Sequence, residues 1–174
     1  MGSGPQAAVS ANMTVSLFAQ LMAAGFGYES AVKLVNASLI AKADDETLST
    51  IDAVEINLYS GQAQLLKAGA APSFWFHRGK VQQLDGVSMP VGILSQVRAQ
   101  SQTILMDEGD ILLCVSDGVC DQDTEWIEEE LKNFALAVEM PVLAKRIAQE
   151  AKRRKGGEHP DDITVLAVKL QKGS

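Results

Sequence analysis

Asp107-Glu108-Gly109-Asp110-Ile111-Leu112-Leu113-Cys114-Val115-Ser116-Asp117-Gly118-Val119 is the stretch on which the fold turns. Its centre is a short apolar run bounded on both sides by turn-forming residues, the signature of a buried strand over Asp110–Ser116. Upstream, Val97–Met106 reads as a partner strand across Glu108-Gly109. Thr50–Leu58 alternates apolar and polar residues and returns through Ser60-Gly61 as Gln62–Ala68. Phe74–His77 and Val81–Leu84 form another hairpin across Arg78-Gly79, and Pro90-Val91-Gly92 is a rigid loop.

At the front, Pro5 fits the first turn of a helix. Ala8, Val9, Met13, Leu17, Leu21 and Met22 recur at helical spacing up to Gly25, and a second helix is expected over Glu29–Ala41. Downstream, helices are expected over Glu125–Val138 and Val142–Lys155. A last strand, Ile163–Leu170, is apolar at nearly every position and is expected to be central in its sheet. No internal repeat and no linker interrupts the series. Two helices, an antiparallel meander, two helices and a strand predict an α+β layer architecture, not alternating βαβ units.

The chain has 174 residues, enough for one domain with a proper core. Hydrophobic residues make up 47% and charged residues 21%, a balance that excludes a disordered or low-complexity chain. The net charge of −7 argues against a nucleic-acid backbone as partner. No apolar run approaches the ~18 residues of a membrane span, so this segment is expected to make no membrane contact itself. The amino-terminal residues show no signal-peptide pattern, and Cys114 and Cys120 are too few for a disulfide framework. A cytoplasmic setting follows.

Three features carry candidate chemistry. Asp117-Gly118 reads either as a turn or as a carboxylate lifted out of a rigid strand, with Gly118 leaving room for an ion or substrate. Asp161-Asp162 stands where the last strand begins. Paired acids there repel each other unless hydrogen-bonded or metal-bound, and the alternative is a solvated loop. Met1-Gly2-Ser3-Gly4 is either an anion cradle before a helix or a flexible end. Two acidic strand ends separated by a helical excursion suggest carboxylates converging on a divalent cation. Oxygen ligands favour Mg²⁺ or Mn²⁺ over zinc, and such ions serve phosphoester hydrolysis. His77 is read as an exposed hairpin-tip residue before a catalytic base. His159 is read as a loop residue or a proton donor beside the acidic pair.

At these residues the sequence resembles the phosphatase domain of the stage II sporulation protein E family, a branch of the metal-dependent protein phosphatase 2C superfamily. The matching pieces are MGSGPQAA (1–8), ETLSTIDAVEINL (46–58), LLKAGAAPSFWFHRGKV (65–81), MPVGIL (89–94), DEGDILLCVSDGV (107–119) and HPDDITVLAV (159–168). The resemblance implies a sandwich of two antiparallel sheets flanked by helices, with two Mn²⁺ or Mg²⁺ ions at one end. Asp117 and Asp161 match the metal-binding, catalytic aspartates. Gly118 belongs to the metal motif, and Asp162 falls where many relatives carry Asn and so supports the metal from behind. The whole of 1–174 would be a single phosphatase domain. Residues 1–42 would be regulatory switch helices, and 49–170 the sandwich core with two inserted helices.

The implied substrate is a phosphoserine on an anti-sigma-factor antagonist in sporulation or stress control. A membrane-anchored parent and homo-oligomers are compatible with the resemblance. Relatives carry an Asp-Gly just ahead of the residues matching Met1. The expectation is therefore an amino-terminally truncated domain, lacking its first strands and a bridging carboxylate, with weak metal binding and little or no turnover alone. The competing expectation is a catalytically inactive module that binds a partner.

Overall fold

The computed structural model describes residues 5–42, 48–86, 88–120, 123–134, 137–155 and 162–171. Among the described residues four helices and seven strands follow one another, two helices first, then six strands, two helices and a last strand. The strands form two antiparallel sheets, so the architecture is α+β. None of the described helices is long and apolar enough to cross a membrane.

By compactness the chain divides into two units. The first comprises Met1–Val54, Gln64–Ala70 and Gly86–Gln102. Its helices are α1 (Pro5–Ala23) and α2 (Tyr28–Ala41). Helix α1 ends on Gly25 at φ +83°, where the Gly25 amide donates to Met22 O and the Phe26 amide to Leu21 O. This pair of bonds is a Schellman cap, and glycine adopts its left-handed backbone without a Cβ clash. Helix α2 buries Ala31, Val32, Val35, Asn36 and Leu39. Val32, Val35 and Leu39 pack with Ile51, Leu66, Ala68, Val91 and Val97.

Two polar devices complete this unit. Asn36 is 2% exposed and uses both ends of its amide. Its Nδ2 donates to Leu94 O at 2.9 Å, and its Oδ1 accepts the Gly92 amide at 2.8 Å. These bonds tie α2 to the 92–94 loop at a buried position, where unpaired amide groups would be costly. Lys67, also buried, pairs with Asp52 at 2.8 Å.

The three-stranded sheet has the order β1 (Ile51–Ile56), β2 (Gln62–Ala68) and β5 (Gln100–Leu105). The four-stranded sheet has the order β4 (Lys80–Leu84), β3 (Ser73–His77), β6 (Ile111–Val115) and β7 (Val165–Lys169). The tight β3–β4 turn uses Arg78 at φ +48° and Gly79 at φ +77°. Two successive positive φ values give the turn whose twist matches a hairpin.

The second unit comprises Glu55–Ala63, Ala71–Asp85 and Thr103–Ser174. Its core joins Phe74, Phe76, Ile111, Leu113 and Val115 of the sheet to two helices. Trp126, Ile127 and Leu131 come from α3 (Glu125–Phe134), and Leu143, Ile147 and Ala151 from α4 (Met140–Arg154). Pro141 sits inside the first turn of α4 rather than between the helices, a position where its missing N–H costs nothing.

Two expectations are corrected. Val97–Met106 and Asp110–Ser116 are not a hairpin pair, because β5 neighbours β2 while β6 lies between β3 and β7. The cause is visible in burial. Strand β6 is buried at four of five positions and needs a neighbour on each side, whereas β5 alternates and suits the end of a sheet. The last strand is not central either. It closes the order beside β6, with Val165 and Ala167 against the core and Leu166 55% exposed.

Candidate functional site

Strands β6 and β7 run antiparallel with Val115 opposite Val165, so the residues after β6 meet those before β7 at one end of the sheet. Ser116 locks this junction. Its backbone N–H donates to Thr164 O at 3.0 Å. Its hydroxyl accepts the Thr164 amide at 2.9 Å and donates to Asp162 O at 3.0 Å. Asp117 and Asp162 therefore project from two chain segments held together by one serine.

Both aspartates are exposed, whereas Gly118 is buried. The Gly118 amide donates to Asp117 Oδ1 at 3.1 Å and orients the carboxylate at the start of the turn. The Val119 amide closes that turn onto Ser116 O at 2.9 Å. Asp117-Gly118 is thus a turn and also a carboxylate lifted off the end of a rigid strand. Asp161 and His159 lie outside the described residues, as does the Met1–Gly4 segment. Among the described residues, no three His, Cys, Asp or Glu side chains gather as a metal cage. Asp117 and Asp162 are hard oxygen donors at an open strand end, a donor type that suits Mg²⁺ or Mn²⁺.

The residue that pattern reading passed over is Ser116. It is quoted within the Ser-Asp-Gly run, but only the coordinates show that its hydroxyl joins the two acidic segments. A small hydroxyl flanking an aspartate at a strand end is the sequence signal that could have pointed to it.

A second cluster lies at the opposite end of β6. Asp110 is 3% exposed, and one of its oxygens, Oδ2, receives three contacts. These are Trp75 Nε1 at 3.1 Å, His77 Nδ1 at 2.8 Å and the Asp107 amide at 2.8 Å. A carboxylate can only accept, so His77 Nδ1 carries the proton. His77 is therefore half-buried against a carboxylate and tilted against the Trp75 ring at 4.7 Å between centroids, not a freely exposed tip residue. The length of β6 separates it from Asp117.

The stage II sporulation protein E family model matches residues 1–171. Stage II sporulation protein E of Bacillus subtilis (strain 168) is 26% identical over 176 residues, and that of Priestia megaterium is 29% identical over 177. The alignments take in 98% of this chain but only 21% and 30% of those proteins, so the chain spans less than a third of their length. Among solved structures, the PP2C phosphatase domain with a fragment of the regulatory domain of SpoIIE from Bacillus subtilis superimposes with a TM-score of 0.82. The identity is 26%, over 98% of this chain and 52% of that one.

Proposed function

The chain belongs to the stage II sporulation protein E family, and from that premise we propose that it is a metal-dependent protein-serine/threonine phosphatase domain. The observation that supports the reading is the Ser116 junction, which ties the segments bearing Asp117 and Asp162 together at one end of β6 and β7. In this reading Asp117 and Asp161 hold Mn²⁺ or Mg²⁺. Asp162 supports them, and Gly118, with no side chain, leaves space for the phosphoryl group. A bound divalent cation neutralises charge on phosphoryl oxygens and acidifies water, which is the chemistry phosphoester hydrolysis needs.

This chain's own contribution is positional. The Ser116 bonds fix the separation of the two acidic segments, and the Gly118 amide fixes the direction of Asp117. The substrate we propose is a phosphoserine protein, an anti-sigma-factor antagonist acted on in the cytoplasm. Shared between two divalent cations, the three carboxylates of Asp117, Asp161 and Asp162 leave most of each oxygen shell to water and the phosphoryl group. Metal binding by these 174 residues is accordingly expected to be weak and turnover slow.

The test is phosphate release from a phosphoserine protein across a manganese titration. Slow, manganese-dependent release is expected. Asp117→Asn should reduce it by about tenfold or more, an energetic loss of roughly 1.4 kcal/mol, and Asp162→Asn by less. Release that ignores metal, survives Asp117→Asn unchanged, or is absent at every manganese concentration overturns the proposal.

A further inference from the structure

The first compact unit contains a cavity of about 1120 Å³, formed within that unit between the start of α2, strand β2 and the 95–101 segment. Leu66 and Val97, both buried, contribute an apolar floor. Gln64, Ser101, Lys33 and Arg98 are polar members of its lining. Lys33 is already paired with Glu29 at 2.7 Å. Arg98 is exposed, and among the described residues no carboxylate forms an ion pair with it.

Three properties define what the cavity would accept. Its charge is locally positive, from Lys33 and Arg98 against Glu29, in a chain of net charge −7. A guanidinium with no carboxylate partner among the described residues is well shaped to hold a carboxylate through two parallel hydrogen bonds. Gln64 Nε2 donates to Ser101 Oγ at 3.1 Å, which leaves the serine proton free to be donated to a ligand. The volume exceeds what a lone anion fills and lies just above the usual range of small-ligand sites. Among the described residues strand β5 ends the three-stranded order, and a strand at the end of a sheet is the kind of edge an extended chain can pair with.

We propose that this cavity docks an extended acidic peptide segment of a partner protein, with a carboxylate on Arg98 and Ser101 and apolar side chains over Leu66 and Val97. The partner's identity as the phosphoprotein substrate rests on the proposed function; the docking chemistry does not.

The test uses all 174 residues in EDTA, so that binding is read without turnover and failure of the phosphatase reading leaves it untouched. The probe is a fluorescein-labelled octapeptide of alternating Glu and Leu, followed by anisotropy. Arg98→Ala should weaken binding by about tenfold, as for loss of a charge-assisted bond, and Arg98→Lys by less. Replacing Glu by Gln in the peptide should weaken binding comparably. Amide shifts should fall at 28–30 and 97–101. Equal binding by Arg98→Ala, equal binding of the Gln peptide, no binding, or shifts elsewhere overturns the proposal. So does self-association that Arg98→Glu abolishes, which would make a second copy the occupant.

Discussion

Ser116 and Thr164 bond each other in both directions: the Ser116 amide reaches Thr164 O at 3.0 Å, and the Thr164 amide reaches Ser116 Oγ at 2.9 Å. One of these bonds runs between backbone groups and survives any substitution of Ser116 except proline. The other, with the hydroxyl's own bond to Asp162 O, depends on a single oxygen atom.

Ser116→Ala removes that oxygen and leaves the backbone bond. Each lost bond is worth about 1 kcal/mol net, so a loss of about 1–2 kcal/mol in denaturant unfolding is expected. The Thr164 amide should exchange faster with solvent. Phosphate release should fall with it, because Asp162 is no longer anchored to the segment bearing Asp117. An exchange rate at Thr164 equal to that of the native chain would refute the coupling.

Asp110→Ala strands three donors around a buried gap: Trp75 Nε1, His77 Nδ1 and the Asp107 amide. Leaving such groups unpaired costs about 2–4 kcal/mol, which a chain of this size registers as a fall of several degrees in Tm. Asp110→Asn retains a carbonyl acceptor and should cost less. Equal melting temperatures for the native chain and Asp110→Ala would refute this account.

Thr14, on α1, is 3% exposed, and its Oγ1 has no hydrogen-bond partner among the described residues. Thr14→Val keeps the shape and removes the desolvated hydroxyl. A gain of about 1 kcal/mol in unfolding free energy is expected. A loss on chemical denaturation would show that the hydroxyl is satisfied.

Near the end of α4, Glu150 accepts from Arg153 at 2.7 and 2.8 Å and from Arg154 at 2.8 Å. The Arg153 bond, opposed by burial and joined by the Arg154 bond, lowers the Glu150 carboxyl from 4.5 to about 2. A lowered folded-state value means that this stabilisation is present above pH 4.5 and fades as pH falls toward 2. Arg153→Ala should move the NMR-titrated Glu150 value back toward 4.5 and flatten that part of the stability profile. An unmoved titration would show that Arg154 suffices.

Local pattern revealed most elements, while partner choice stayed hidden. Gln62–Ala68 is legible to the residue, because the alternating strand before it and the Ser60-Gly61 turn fix where it begins. Val97–Met106 does contain a strand, β5, but proximity in sequence misleads on its partner, because β6 takes neighbours from far along the chain. At the candidate site, Asp117 and Asp162 could be named from motif resemblance, and the structure sets their segments together. Asp110 could not be named, since an aspartate ahead of an apolar strand looks like a turn residue until Trp75 and His77 arrive from a different hairpin. Asp161 was named from the same motif but lies outside the described residues.

The pairing of β6 also sets a timetable for folding. Its Cys114 lies opposite Ser73 and its Val115 opposite Val165, so both edges of the strand are closed by long chain loops. Closing such loops is slow, and topologies of this kind fold over milliseconds to seconds. During synthesis Asp117 leaves the ribosome well before Asp162, and the two acidic segments can be fastened together only after the final strand has emerged.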